Sequence, residues 1–211
     1  RFNDVSAVVC MSAGFGALNP SEAGQRERDL VQTLKSASIR RVGPNCRGVM
    51  DTVSGFNTNF DIGTYPRGGI SVLTQSGAFG NSFLFGSGTT GLVGLNKFVS
   101  IGNMADVQMA ELLMFLKTDE STRVIGIYLE GLADPREFFH AAREVAAVKP
   151  IVIFKSGRSE MGSTAALSHT GSVAGADAIY DGACRQASLV RAKFRLFAKC
   201  RNSCSSFWFI G

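Results

Sequence analysis

Residues 151–177 read IVIFKSGRSEMGSTAALSHTGSVAGAD, a pattern of strand, long small-residue connection and helix start. The apolar run at 151–154 predicts the strand, and residues 176–186 predict the helix. The connection consists largely of Gly, Ser, Ala and Thr, and a connection this long inside a compact domain is usually functional or disordered. Lys155 and His169 are the residues in this stretch with the chemistry of a strong base or nucleophile.

The same alternation of strand and helix extends over most of the chain. Further apolar strands are predicted at residues 7–11, near 41–42, and at 69–74, 95–100, 124–129 and 189–191. Helices are predicted at residues 21–35, after 75–80, at 106–117 and from Pro135. Strands that are apolar throughout and alternate with helices indicate a parallel sheet covered on both faces. The predicted fold class is therefore α/β, with a flavodoxin-like, doubly wound domain at 69–191.

Three other segments complete the predicted organisation. Residues 1–50 read as a β-α-β unit, the last part of a parallel-sheet domain whose beginning is missing. Residues 51–68 are polar and turn-rich and are predicted to be a linker. Residues 192–211 form an atypical tail. Because the chain begins at Arg1 without Met, a fragment is expected.

Composition excludes several classes of function. The net charge is +5 over 211 residues, and no stretch interleaves basic with aromatic residues, which argues against nucleic-acid binding. No apolar run reaches membrane-spanning length. The cysteines, odd in number and without zinc-type spacing, are expected to be free thiols in a reducing cytoplasm; they are Cys10, Cys46, Cys184, Cys200 and Cys204.

Ligands of doubly wound sheets bind outside the carboxyl ends of the strands. The loops that follow the predicted strands contain Ser76–Gly77, Gly102–Asn103, Glu130–Gly131 and His169. The backbone N–H groups of Ser76, Gly77 and Ala78 at a helix start would form an anion site. The alternative is an ordinary strand-to-helix turn capped by Ser76.

Glu130 and His169 form a candidate pair. Glu130 directly follows an apolar strand, and its carboxylate could hydrogen-bond one nitrogen of His169, which would fix the tautomer and activate the other nitrogen. The alternatives are a solvated acid at a strand end, and a histidine that is a general base or has no role. His140, on the helix from Pro135, receives no role, and two distant histidines without nearby cysteines argue against a metal site.

Five motifs in order carry a resemblance to a known family. They are GPNC-x-G at 43–48, QSGAFG at 75–80, VSIGNMADV at 99–107, YLEG at 128–131 and KSGRSEMGSTAALSHTGSVAGAD at 155–177. Over roughly residues 5–192 the chain resembles the NDP-forming acyl-CoA synthetases, whose members include ADP-forming acetate–CoA ligases and the succinyl-CoA synthetase α subunit. The set of motifs is highly specific, although each is weak alone.

The resemblance implies the reaction acyl-CoA + phosphate + ADP ⇌ carboxylate + CoA + ATP. It implies that His169 carries the phosphoryl group, that Glu130 is its carboxylate partner and that Ser76, Gly77 and Ala78 cradle that group. Asn45, Gly102 and Asn103 would lie near the acyl phosphate. The implied cofactors and substrates are CoA, phosphate and ADP or ATP with Mg²⁺.

The resemblance also implies partners, a missing N-terminal part and an altered C-terminal end. The nucleotide and Mg²⁺ would bind a separate ATP-grasp subunit or domain, and an oligomer in the cytoplasm is expected. Residues 1–50 would be the remnant of a Rossmann-like CoA-binding domain whose glycine-rich loop is absent. The basic tail departs from the family's acidic helical continuation, so a frameshift or a misjoined end is expected there.

Two other functions stay open at this point. Some protein acetyltransferases contain this region as a non-catalytic module that senses acyl-CoA, and an acetyltransferase domain in the complete gene would favour that function. The intact SHTG sequence together with Glu130 favours the enzyme. A truncated product without activity is the remaining alternative.

Overall fold

A computed structural model of the chain describes residues 5–13, 20–60, 63–156 and 177–192. The described part contains nine strands and five helices. The strands are β1 Ala7–Val9, β2 Arg40–Val42, β3 Gly48–Asp51, β4 Phe56–Asn57, β5 Arg67–Thr74, β6 Leu95–Ser100, β7 Val124–Leu129, β8 Ile151–Lys155 and β9 Val190–Arg191. The helices are α1 Pro20–Ser36, α2 Gly77–Thr90, α3 Met109–Thr118, α4 Pro135–Ala146 and α5 Asp177–Gln186.

Seven strands form the main sheet in the order β4-β3-β6-β5-β7-β8-β9. Five neighbouring strands of this sheet, β6, β5, β7, β8 and β9, are parallel. Numbered along the chain from β5, they follow the order 2-1-3-4-5, which is that of flavodoxin-like folds. The predicted α/β fold class is confirmed, and the topological switch point lies between β5 and β7.

Both faces of the sheet contribute to the core. Neighbouring residues of a strand point to opposite faces, so Leu73 and Val72 of β5 belong to different buried clusters. The Leu73 cluster includes buried residues of α3, α4 and α5. The Val72 cluster includes Leu84 of α2 together with Leu95 and Phe98 of β6.

Strands β1 and β2 form a separate parallel pair, and α1 connects them. This unit is joined to the main sheet through the segment before α3. The Val107 amide donates to the Arg41 carbonyl at 3.2 Å, and the Arg40 guanidinium pairs with Asp106 at 3.2 Å and Glu111 at 2.8 Å. The predicted β-α-β unit is therefore present in residues 7–42.

Two strands were not predicted from the sequence. Residues 48–57 were assigned partly to the first unit and partly to the linker, but they form β3 and β4, which are antiparallel to each other. β3 also pairs antiparallel with β6, with Val49 opposite Val99. These strands were missed because they are only four and two residues long and lie among turn residues.

Two further properties concern the described residues only. No helix in this part of the chain is long and apolar enough to cross a membrane. Cys10, Cys46 and Cys184 have free thiols, whereas Cys200 and Cys204 lie outside the described residues.

Candidate functional site

The carboxyl ends of β5, β6, β7 and β8 lie at one edge of the sheet, as the sequence predicted, and Ser156 is the last described residue after β8. Parallel pairing brings their carboxyl ends together: Thr74 of β5 lies opposite both Ser100 of β6 and Tyr128 of β7. Tyr128 in turn lies opposite Phe154 of β8. The turns therefore meet around the switch point, where this fold class binds its ligands.

Ser76, Gly77 and Ala78 form the start of α2. Ser76 is the N-cap, and its hydroxyl oxygen accepts a hydrogen bond from the Phe79 amide at 3.2 Å. The first amides of a helix lack partners within the helix and point out of its N-terminus. No described residue has a heavy atom within 4 Å of a Cβ atom added to Gly77, so an oxyanion can approach this backbone closely.

Gln75 connects the turn after β5 with the turn after β7. Its side-chain oxygen accepts hydrogen bonds from the amides of Glu130 at 2.6 Å and Gly131 at 3.0 Å. The Gln75 backbone amide donates to the Tyr128 carbonyl at 3.2 Å. The Glu130 turn is thus attached to the residue directly before the α2 N-cap.

Lys155 ends β8 and is buried, with an exposed fraction of 3%. Its ammonium donates to the carbonyl oxygens of Glu130 at 2.8 Å and Ser156 at 2.6 Å. Burial lowers the pKa of Lys155 and Arg191 lowers it further, while the charges of Asp177 and Glu130 act in the opposite direction. The structure therefore gives Lys155 a structural contact, although its residue type had suggested a base or nucleophile.

Asn45, Gly102 and Asn103 meet at the end of β6. The Asn45 side-chain amide donates to the Asn103 side-chain oxygen at 3.3 Å, and the Asn103 backbone amide donates to the Pro44 carbonyl at 2.9 Å. Both asparagine side chains are exposed at this edge. The Ile101 amide donates to the Thr74 carbonyl at 2.8 Å, which places this group beside the turn that contains Ser76.

Three stacked aromatic rings lie next to the turns of the site. Phe79 of α2 stacks on Tyr128 with ring centroids 4.3 Å apart, and Tyr128 stacks on Phe154 at 5.3 Å. Burial raises the pKa of Tyr128, and the negative charge of Glu130 raises it further. The phenol therefore stays protonated, and the Glu130 carboxylate acts within electrostatic reach of this ring.

His169 lies outside the described residues. Ser156 is the last described residue before the segment that contains His169, and its amide donates to the Leu129 carbonyl at 2.9 Å, so Ser156 lies beside the Glu130 turn. Among the residues that the structure describes, no group of three His, Cys, Asp or Glu side chains is arranged to hold a metal ion.

Sequence reasoning assigned no role to Gln75, and the structure gives it one. The only available signal was an amide side chain directly before a predicted N-cap at the switch point. A glutamine in a turn is common, and its bonding to a turn 55 residues away depends on the tertiary arrangement of β5 and β7.

A family model described as the succinyl-CoA ligase like flavodoxin domain matches residues 67–195. The chain belongs to this family. The matched range begins at β5 and includes the turns of Ser76, Gly102 and Glu130, so the succinyl-CoA-ligase-like domain contains the switch-point edge described above.

Named relatives of the succinyl-CoA-ligase-like domain agree with this assignment. The chain is 43% identical over 188 residues to the α subunit of ADP-forming acetate–CoA ligase I of Pyrococcus furiosus, covering 89% of this chain and 40% of the relative. It is 41% identical to the ADP-forming acetate–CoA ligase of Methanocaldococcus jannaschii, covering 89% of this chain and 26% of the relative.

A solved structure matches the fold over nearly the whole chain. It is the dinucleotide-forming acetyl-coenzyme A synthetase 1 of Ca. Korarchaeum cryptofilum, in complex with phosphate and ADP, with a TM-score of 0.82 and 37% identity over 90% of this chain. The match covers 40% of that protein. The chain thus spans well under half the length of these relatives.

Proposed function

We propose that this chain is part of an ADP-forming acyl-CoA synthetase, in which it performs the phosphoryl-transfer steps between an acyl phosphate and a histidine. One observation carries the proposal: the α2 N-terminus, the Glu130 turn and Ser156 lie together at one switch point. Ser156 is the root of the His169 segment, because it is the last described residue before it. An oxyanion site beside an acid and a nucleophile-bearing segment suits transfer of an anionic group.

The proposed reaction has three balanced steps. A phosphate oxygen attacks the carbonyl carbon of acyl-CoA, the carbon–sulfur bond breaks and CoA leaves as the thiolate. A ring nitrogen of His169 then attacks the phosphorus of the acyl phosphate, and the carboxylate leaves. Finally, an oxygen of ADP takes the phosphoryl group, which releases ATP and the free histidine.

The described residues have distinct roles in these steps. The amides at Gly77 and Ala78, with the dipole of α2, stabilise the negative phosphoryl oxygens. Glu130 hydrogen-bonds one nitrogen of His169, so that the other nitrogen is the nucleophile. Asn45 and Asn103 bind the acyl phosphate as amide donors, and Gly102 allows the two turns that contain them to pack closely together.

The remaining participants belong to other parts of the enzyme. Residues 1–50 form the end of a CoA-binding domain, and CoA would bind mainly to the part that precedes it. ADP or ATP with Mg²⁺ would bind an ATP-grasp subunit or domain, and the assembly would be an oligomer. A phosphoryl group would have space at Gly77, because no described residue has a heavy atom within 4 Å of its virtual Cβ.

The test measures transfer of labelled phosphate to the chain. With Mg²⁺ and an ATP-grasp partner, labelled ATP is expected to produce acid-labile, base-stable label, and labelled acetyl phosphate is expected to produce the same label. The His169→Asn variant should take up no label from either donor. The same assay with an intact α part serves as the control that the ATP-grasp partner is active.

The same assay separates the alternatives. Absence of label in the wild-type chain, with an active reference, would favour the acyl-CoA sensor or the inactive product. Persistent label in His169→Asn would refute His169 as the phosphoryl acceptor. Acyl-CoA binding without labelling, measured by calorimetry on the chain extended by its CoA-binding part, would identify the sensor.

A further inference from the structure

The peptide groups of the Glu130 turn are held by side chains from both neighbouring strands. Gln75, which follows β5, accepts from the Glu130 amide at 2.6 Å and from the Gly131 amide at 3.0 Å. Lys155, at the end of β8, donates to the Glu130 carbonyl at 2.8 Å. The Glu130 amide is therefore held by the residue after β5, and the Glu130 carbonyl is held by the last residue of β8.

We infer that Gln75 and Lys155 are positioning residues for phosphoryl transfer from the acyl phosphate, acting through Glu130. Gln75 sets the distance from Glu130 to the α2 N-terminus, and Lys155 sets the distance from Glu130 to the root of the His169 segment. The inference rests on the proposed function, and it adds two residues that act on the transfer through Glu130.

Gln75 is rigidly attached at both its backbone and its side chain. Its own backbone is bonded to the Tyr128 carbonyl at 3.2 Å, and the next residue, Ser76, caps α2. The position of the Gln75 side-chain oxygen is therefore fixed by its backbone. Its two hydrogen bonds, to the Glu130 and Gly131 amides, fix the Glu130 turn relative to that backbone. Misplacement of a reacting group by about 1 Å can reduce a rate roughly a hundredfold, so this attachment matters for transfer.

Lys155 is held in place by its burial and by a second acceptor. The ammonium also donates to the Ser156 carbonyl at 2.6 Å and lies 4.9 Å from the centre of the Tyr180 ring. An ammonium that is buried among two carbonyl dipoles and an aromatic face is held in one place. Since Ser156 precedes the His169 segment directly, Lys155 joins that root to the Glu130 turn.

The experiment compares variants that remove the two attachments while keeping side-chain size. In Gln75→Met and in Lys155→Met, labelling of His169 by acetyl phosphate should slow by about tenfold to a hundredfold. Labelling by ATP through the ATP-grasp partner should change far less, because that donor binds elsewhere. Gln75→Glu keeps an acceptor oxygen and should recover part of the rate with acetyl phosphate.

Lys149 provides a matched control. Its ammonium also bonds two backbone carbonyls, those of Leu116 at 2.6 Å and Asp119 at 2.5 Å, but it lies just before the amino end of β8. Lys149→Met should lower stability in the same way as Lys155→Met and leave acetyl phosphate labelling unchanged. Equal slowing in both lysine variants would overturn the positioning role.

A double variant tests whether Gln75 acts through Glu130. Groups that act as a unit show non-additive losses, so Gln75→Met combined with Glu130→Gln should label no more slowly than Glu130→Gln alone. Multiplied losses would overturn the inference. So would wild-type labelling by acetyl phosphate in Gln75→Met.

Amide hydrogen exchange gives a readout that does not require activity. The Glu130 and Gly131 amides should exchange faster in Gln75→Met than in the wild type, and unchanged exchange would overturn the attachment itself. A wild-type chain that takes no label from ATP would instead overturn the proposed function. The two failures are therefore distinguishable.

Discussion

Gly102 approaches the Pro44 carbonyl so closely that a Cβ atom on Gly102 would lie 2.1 Å from that oxygen. Gly102 also has a φ of +59°, in the region that side chains disfavour. The contact joins the turn after β6 to the turn that contains Asn45. It explains how residues 58 positions apart place two asparagine amides together at the sheet edge.

Gly102→Ala is expected to be strongly destabilising and to separate the two asparagines. The backbone conformation alone costs on the order of 1 kcal/mol, and the clash with a backbone oxygen adds to it. Gly91→Ala is the control, because Gly91 has a φ of +66° and no described residue has a heavy atom within 4 Å of its virtual Cβ. Urea unfolding should show a larger loss for Gly102→Ala, and equal losses would contradict the close contact.

A buried polar network lies at the opposite end of the sheet and is closed by Asp119. The Asp119 carboxylate accepts from Asn96 at 2.7 Å and Thr122 at 2.5 Å, and pairs with Lys97 at 3.2 Å. Burial raises the pKa of Asp119, but the bonds from Thr122, Lys97 and Asn96 outweigh it, and the net pKa is lowered.

This lowered pKa predicts acid sensitivity. Because the folded-state pKa of Asp119 lies below its unfolded value of about 3.9, its stabilisation is present above that value and is lost as pH falls through the folded pKa. Asp119→Asn should therefore reduce the free energy of unfolding near neutral pH, with a difference that shrinks in acid. Urea titrations at several pH values test this, with exposed Asp29→Asn as control; a constant difference would contradict it.

The sequence predicted most of the fold because its strands are long and apolar on both faces. The predicted bounds of β6 and β7 agree with the structure at residues 95–100 and 124–129. It could not predict β3, because the pairing of β3 with β6 joins residues that are far apart in the sequence. Ser76 and Glu130 were found because each ends an apolar strand, whereas the attachments of Gln75 and Lys155 depend on side-chain directions that no local pattern encodes.

Arg41 is expected to weaken the fold. Its side chain is 1% exposed, and its three guanidinium nitrogens have no hydrogen-bond partner among the residues that the structure describes. A buried charged group without partners is costly, so Arg41→Met should raise the free energy of unfolding by about 1 kcal/mol or more. Arg40→Met, which removes an exposed pair with Asp106 and Glu111, should instead lower it slightly. Destabilisation by Arg41→Met would contradict the cost assigned to its guanidinium.

Ser76→Ala should reduce both stability and phosphoryl transfer, for separable reasons. Loss of the hydroxyl that accepts from the Phe79 amide at 3.2 Å removes an N-cap, which costs about 1 kcal/mol. Fraying of the first turn also moves the Gly77 and Ala78 amides that would hold the phosphoryl oxygens, so labelling by acetyl phosphate should slow. Ser76→Thr keeps the hydroxyl and should restore both properties. If Ser76→Ala lost stability but labelled at the wild-type rate, the α2 N-terminus would be a structural cap and the anion site would lie elsewhere.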